Sequence, residues 1–201
     1  MASPELQTVI EMLRATPMLQ GDIATRRANM EMMTTTLPLA PDIAYAATDA
    51  GGVPAEWVIP PEHDPGRVLL YLHGGGYCIG SVRTHRRLVG SIARAGKIRA
   101  LSVDYRLAPE HPFPAAVDDA VRAYGALLEQ GVAPQRIALG GDSAGGGLTI
   151  ATLLALRDRG QPLPAAGIGI SPWLDLSQSG ASCTSRAELD PMLDKAKLDQ
   201  F

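Results

Sequence analysis

The chain has little cysteine, no basic cluster and no long apolar run. Only Cys78 and Cys183 occur among its 201 residues, far apart and without metal-ligand spacing. This excludes a disulfide framework and fits a reducing cytoplasm. No basic cluster stands out and the net charge is -3, which argues against nucleic acid as the main partner. No apolar run is long enough to span a membrane, and the N-terminus lacks the pattern of a signal peptide. We therefore expect a cytoplasmic protein with neither a membrane nor a nucleic-acid partner.

What the chain does have is a globular composition with an alternating pattern of apolar runs and helical stretches. Hydrophobic residues make up 46% of it, enough for one domain with a sizeable core. Strands are predicted at 68–72, 100–104, 136–139 and 166–170, and helices at 85–95, 114–130 and 144–159. Such alternation predicts an α/β fold, a parallel sheet covered by helices on both faces. Before it, 43–48 and 53–60 predict a β-hairpin at a sheet edge, where Pro54 is tolerated.

Both ends of the chain are also predicted to be helical. Residues 4–36 carry an amphipathic pattern, broken at Thr16-Pro17, with the face Leu6, Val9, Ile10 and Leu13. A second helical stretch ends near Met30, Met32 and Met33, which indicate either plain core or a lid over an apolar pocket. Residues 176–188 are predicted to form a loop, and a last helix is predicted from Asp190-Pro191 to Phe201.

The segment 140–147 contains a Gly-x-Ser-x-Gly pattern at Gly141, Ser143 and Gly145, typical of a nucleophile elbow. A short apolar run precedes it and a helical run follows, as the motif needs. The sharp turn lifts the serine hydroxyl clear of the sheet, at a helix N-terminus that favours negative charge. The alternative is a glycine-rich turn whose serine merely caps a helix. The flanking strand and helix favour the nucleophile.

A second motif, His73-Gly74-Gly75-Gly76-Tyr77, directly follows the first buried strand. Consecutive glycines let the backbone approach a ligand closely and point N–H groups at it. With the N–H of Ala144, they predict an oxyanion hole. A phosphate-binding loop would instead need Gly-Lys-Ser/Thr or G-x-G-x-x-G, and this motif has neither. His73 is predicted to hold the loop through hydrogen bonds rather than to act as a general base.

Together with a third segment, 104–116 (Asp-Tyr-Arg-Leu-Ala-Pro-Glu-His-Pro-Phe-Pro-Ala-Ala), these motifs resemble the bacterial hormone-sensitive-lipase-like carboxylesterases (family IV) of the α/β-hydrolase fold. The resemblance runs from about residue 68 to the end of the chain. It implies an N-terminal helical cap at 1–40 and an α/β-hydrolase core at 41–201, with the start of a second cap helix at 189–201.

The resemblance also implies roles for particular residues. Ser143 would be the nucleophile, and Gly75, Gly76 and Ala144 would supply the oxyanion N–H groups, with His73 and Gly74 supporting the loop. Asp104 and Glu110 would be structural polar residues, and Trp173 and cap residues would border the acyl pocket. No metal or organic cofactor is implied.

The chain departs from the family in its triad. Within this fold the acid and then the histidine follow the serine, whereas all four histidines precede Ser143: His63, His73, His85 and His111. The triad acid and base, and the last strands of the fold, are thus expected to be missing, as in a C-terminally truncated chain. None of Asp142, Asp175 and Asp190 is expected to replace the acid. Without a partner, strand 166–170 is expected to be an exposed, aggregation-prone edge.

These observations favour a serine carboxylesterase that acts on small, short- to medium-chain acyl esters. Two alternatives stay open: a non-catalytic protein of the same fold that holds a small ligand, and an inactive truncated fragment. The expected partner is a small-molecule ester, and the family also forms homodimers through late strands that this sequence lacks.

Overall fold

The structure, a computed structural model, describes residues 3–15, 20–36 and 38–201. Two helices come first, α1 (Pro4–Ala15) and α2 (Ile23–Thr35). The strands are β1 (Ala44–Asp49), β2 (Pro54–Ile59), β3 (Asp64–Leu72), β4 (Ile98–Val103), β5 (Ile137–Asp142) and β6 (Ala166–Ile170). The remaining helices are α3 (Val82–Gly96), α4 (Ala115–Glu129), α5 (Ser143–Asp158), α6 (Ser182–Ser185) and α7 (Lys195–Leu198). Short 3₁₀ turns lie at Pro134–Arg136 and Ala187–Leu189.

The described strands form one sheet in the order β1-β2-β4-β3-β5-β6. β3 pairs in parallel with β4 and β5, and β5 pairs in parallel with β6. The hairpin β1–β2 joins this sheet through an antiparallel pair between β2 and β4. Pro54 is the first residue of β2, where a missing N–H costs no interior ladder bond. The predicted mostly parallel sheet with an antiparallel hairpin at its edge is confirmed.

Helices cover both faces of the sheet. Since successive side chains of a strand point to opposite faces, neighbouring residues of one strand pack in different layers. Leu70 and Leu72 of β3 pack in the main core cluster with side chains of α4 and α5. Leu69 and Tyr71 pack in a second cluster with side chains of α3. All four side chains are buried. The α/β-hydrolase prediction of two helical layers is therefore confirmed.

The N-terminal helices form as predicted but contribute no buried residue. The apolar face predicted for α1 is largely exposed, with Leu6 49% exposed and Val9 43% exposed. Met32 of α2 is exposed, while Met30 and Met33 are half-buried, so none of these methionines belongs to the core. The predicted break at Thr16-Pro17 lies outside the described residues. The division into a cap at 1–40 and a core at 41–201 stays a prediction.

The end of the chain differs from its prediction. Within the expected loop 176–188 lies the short helix α6, and the helix expected from Asp190 to Phe201 is reduced to the single turn α7. The Asp190 carboxylate accepts the N–H groups of Met192 and Leu193, both at 2.8 Å, and closes a local turn. The helical turn α7 begins only after Asp194, whose carboxylate caps it at the N–H of Lys197.

Candidate active site

The nucleophile elbow stands where β5 passes directly into α5. β5 ends at Asp142 and α5 begins at Ser143, whose φ of +51° lies in the left-handed region. A Cβ on Gly145 would lie 2.0 Å from the carbonyl oxygen of Leu72, and one on Gly141 would lie 2.4 Å from the carbonyl oxygen of Gly145. Only glycine fits at either position. The strand, tight turn and helix predicted around the serine are confirmed.

The glycine loop begins where β3 ends, beside the elbow. Leu72 pairs with Gly141 in the parallel register of β3 and β5, so the carboxyl ends of the two strands meet at one sheet edge. Gly75 has a φ of +124° and accepts the N–H groups of Cys78 at 3.0 Å and Ile79 at 2.9 Å. The fold thus brings together the two segments predicted to supply nucleophile and oxyanion donors.

Asp142 connects the elbow to the glycine loop. One carboxylate oxygen accepts the Tyr71 hydroxyl at 2.8 Å and the Gly74 N–H at 3.0 Å, and the other lies 3.5 Å from Nε2 of His85. Burial acts to raise the pKa of Asp142, but His85, Tyr71 and the Gly74 N–H outweigh it and lower that pKa. The sequence gives no signal of this bridge, because Tyr71, Gly74 and His85 come next to Asp142 only in the folded chain.

His73 is packed against the backbone of the glycine loop. Its ring is fully buried, stacks on Tyr105 at 4.3 Å between centroids, and has Nδ1 2.8 Å from the carbonyl oxygen of Gly74. The Tyr105 hydroxyl in turn donates to the carbonyl of His73 at 2.7 Å. Burial, helped by nearby His85, lowers the pKa of His73 to about 3. The imidazole is neutral and is held by the loop that it supports.

Two of the acidic residues downstream of the serine, Asp175 and Asp190, are engaged in local turns. Asp175 accepts the N–H and hydroxyl groups of both Ser177 and Ser179, and these bonds hold its pKa far below the usual range. Asp190 accepts the N–H groups of the turn described above. Both carboxylates are therefore hydrogen-bonded within their own turns.

A cavity of about 560 Å³ lies next to the glycine loop. Tyr77, Leu148 and Trp173 line it, together with the ring of Phe201. That ring covers Gly76, where an added Cβ would lie 2.5 Å from it. The backbone N–H of Trp173 donates to the carbonyl of Ser143 at 2.8 Å, which connects the cavity wall to the elbow. No described residue of α1 or α2 lines this cavity, so the lid predicted for the methionines gains no support from it.

Asp104, expected to be a structural residue, follows β4 and has its carboxylate beside the N-terminus of α3. This carboxylate accepts the N–H of Val82 at 3.2 Å, and burial raises the pKa of Asp104. It therefore satisfies one of the N–H groups that the first turn of α3 leaves without an intrahelical partner.

Comparison with known proteins agrees with this geometry. A family profile of the α/β-hydrolase fold matches residues 69–201. This chain belongs to the α/β-hydrolase family. It resembles an acetyl-hydrolase of Streptomyces hygroscopicus, with 47% identity over 98% of this chain and 66% of the relative. It also resembles the carboxylesterase NlhH of Mycobacterium tuberculosis, with 33% identity over 100% of this chain and 67% of the relative.

Solved structures place the chain within the same branch of the family. An esterase from the bacterial hormone-sensitive lipase family superposes with a TM-score of 0.95 and 51% identity, over 100% of this chain and 68% of that one. The bacterial hormone-sensitive-lipase-like resemblance is confirmed. The chain spans about two thirds of the length of these relatives.

Proposed function

We propose that the full-length protein is a serine carboxylesterase that works through an acyl-enzyme on Ser143. The observation that carries the proposal is the Ser143 turn itself, a non-glycine residue in the left-handed region at a strand-to-helix junction. Such strain persists where the surrounding structure enforces it, and it gathers at functional sites. Here the enforcing neighbours are Gly141 and Gly145, where no side chain fits.

The mechanism follows from the positions of the nucleophile elbow at Ser143 and the glycine loop at 73–77. The Ser143 oxygen attacks the ester carbonyl, and the N–H groups of Gly75, Gly76 and Ala144 stabilise the oxyanion that forms. Each such donor is worth about 3–4 kcal/mol to the transition state. The alcohol leaves, and water then attacks the acyl-enzyme and releases the acid. We place the triad acid and base outside residues 1–201, because no histidine follows Ser143 in the sequence.

The substrate that we propose is a short- to medium-chain acyl ester. The relatives include an acetyl-hydrolase and an ethyl acetate hydrolase of Pseudomonas putida, names that point to small acyl groups. The cavity beside the glycine loop is mainly aromatic and aliphatic, with Tyr77, Leu148 and Trp173 on its wall. Such a wall suits an apolar acyl or alcohol group better than a charged one.

No helix within residues 3–15, 20–36 and 38–201 is long and apolar enough to cross a membrane. We propose a cytoplasmic enzyme with no nucleic-acid partner, which forms a homodimer. No three His, Cys, Asp or Glu side chains of the described residues are grouped to hold a metal ion, and the chemistry proposed for Ser143 requires none.

The test is covalent labelling of the full-length gene product with a serine-directed fluorophosphonate, alongside hydrolysis of a short-chain activated ester. Wild type should be labelled and active, and Ser143→Ala should lose the label and about 10⁴-fold or more of the hydrolysis rate. Both variants should melt at similar temperatures. An unlabelled, inactive wild type that still binds small esters would favour the non-catalytic alternative and overturn the proposal.

A further inference from the structure

Arg27 of helix α2 reaches from the N-terminal segment to the backbone that follows the glycine loop. Its Nε donates to the carbonyl of Cys78 at 2.8 Å, and its Nη2 donates to the carbonyl of Ala108 at 2.9 Å. The side chain is 31% exposed. These two carbonyls are far apart in sequence from Arg27, by 51 and 81 residues, so only the fold brings the three groups together.

Both carbonyls belong to peptide segments that close the glycine loop. Cys78 and Ile79 donate their N–H groups to the carbonyl of Gly75 at 3.0 and 2.9 Å. Ala108 donates its N–H to the carbonyl of Tyr77 at 2.9 Å. A chain of hydrogen bonds therefore runs from the Arg27 guanidinium through two neighbouring segments to the carbonyl of Gly75. The N–H group of the same residue is one of the proposed oxyanion donors.

Glu110 orients the Arg27 guanidinium. Its carboxylate accepts Nη1 at 2.8 Å and Nη2 at 2.7 Å, the paired geometry that a planar guanidinium allows. Hydrogen bonding to Arg27 lowers the pKa of Glu110 to about 2. Because Glu110 is 52% exposed, this ion pair adds little stability by itself. Its effect is to orient the Arg27 guanidinium so that Nε and Nη2 point at the carbonyls of Cys78 and Ala108.

We infer that Arg27 is a positioning residue that fixes the glycine loop relative to helix α2. By holding the carbonyls of Cys78 and Ala108 it keeps the turn at Gly75 closed, so that the oxyanion N–H groups stand ready before substrate arrives. The inference rests on the proposed esterase function and adds to it a link between the N-terminal helices and the oxyanion hole. A lysine would not replace Arg27, because one ammonium lacks the planar fork that spans two carbonyls and a carboxylate.

The first test is steady-state hydrolysis of a short-chain activated ester by the full-length protein. Arg27→Ala should lower kcat by about ten- to a hundredfold, since small displacements of a catalytic group are costly, with KM changed less than about threefold. Arg27→Lys should lose nearly as much. Glu110→Gln should stay within about threefold of wild type, because the amide oxygen still accepts one guanidinium N–H and both carbonyl bonds remain. The matched control is Arg14→Ala, an exposed arginine of α1, which should change nothing.

The second test is amide hydrogen exchange, which does not depend on catalysis. Arg27→Ala should speed exchange at the amides of Cys78, Ile79 and Ala108 by about tenfold or more, and leave β5 unchanged. Unchanged exchange at those amides, or a uniform increase throughout the protein, overturns the inference. So does an equal loss of kcat in Glu110→Gln and Arg27→Ala, which would assign the effect to the ion pair.

The two tests separate the inference from the proposed function. If Ser143→Ala hydrolyses the ester as fast as wild type, the proposed function fails. The exchange rates then decide alone whether Arg27 holds the loop.

Discussion

Ser143 carries a backbone conformation that its side chain does not favour. Its φ is +51°, and a non-glycine residue in this region costs about 1–2 kcal/mol. Placing the hydroxyl that the proposed chemistry needs therefore lowers the stability of the fold, as is common at active sites. The strain belongs to the backbone, so removing the hydroxyl alone does not relieve it.

We therefore expect Ser143→Gly to be more stable than Ser143→Ala by about 1 kcal/mol, which corresponds to roughly 2–4 °C in Tm. Thermal unfolding followed by circular dichroism measures this. Ser91, in the middle of α3, is the matched control, because its φ is not among the positive values. There the order should reverse, with Ser91→Ala more stable than Ser91→Gly by about 1 kcal/mol. Equal Tm values for the two Ser143 variants would show that the backbone at this position is not strained.

Asp142 should make the stability of the protein depend on pH. Its folded-state pKa is lowered, so its carboxylate stabilises the fold above the unfolded pKa, and this contribution is lost as the pH falls through the folded value. Asp142→Asn lacks the carboxylate. We expect wild type to be more stable than Asp142→Asn near pH 7 by about 1–3 kcal/mol, and the gap to narrow from about pH 5 downwards. Urea unfolding at a series of pH values measures it; a constant gap down to pH 3 would refute the assignment.

Glycines in two helices differ in whether the packing around them leaves room for a side chain. Gly145 of α5 is pressed against β3, and its added Cβ would meet the carbonyls of Leu72 at 2.0 Å and His73 at 2.5 Å. Gly125 of α4 has nothing within 4 Å of such a Cβ. Both lie within helices, and only one of them is required by packing.

Substitution by alanine should separate the two glycines. Gly145→Ala should cost about 3 kcal/mol or more, because backbone atoms must move. Gly125→Ala should stabilise the fold by about 0.5–1 kcal/mol, since alanine is the better helix former. Denaturant unfolding of both variants gives the two changes in free energy. A Gly145→Ala variant as stable as wild type would mean that α5 does not approach β3 so closely.

Local sequence signals predicted the elements well wherever those signals agreed with packing. The strand at 166–170 and the alternation of strands and helices from residue 68 onward were predicted from apolar runs. The helix expected from Asp190 to Phe201 is present only as the single turn α7, and the Asp190 carboxylate closes a separate turn before it. The amphipathic pattern of α1 predicted a helix correctly, yet not that its apolar face would be exposed.

On the scale of the whole molecule, the main exposed feature is the edge of the described sheet at β6. All five of its residues are exposed, including Ile168 at 47% and Ile170 at 41%. Within the described residues it pairs only with β5. An apolar strand with free N–H and C=O groups is a template for pairing with another chain.

A polypeptide of residues 1–201 should therefore self-associate, and Ile168→Lys should weaken that association by about tenfold or more. Leu189→Lys is the matched control, because Leu189 is 70% exposed but lies outside the sheet. Sedimentation velocity over a concentration series measures both. If wild type stays monomeric, or if the two lysine variants behave alike, the edge is not the contact.

The sequence by itself determined the α/β class and the family, and it pointed to the residues of the proposed site, because each of these has a local signature. The Ser143 motif and the glycine run at 73–77 are short patterns whose chemistry depends on adjacent residues. Only the tertiary structure decided what holds them in place. Asp142 meets Gly74 across two parallel strands, and Arg27 meets Cys78 across 51 residues of chain. Such contacts depend on how distant segments come together in the folded chain, and no local pattern of residues encodes that.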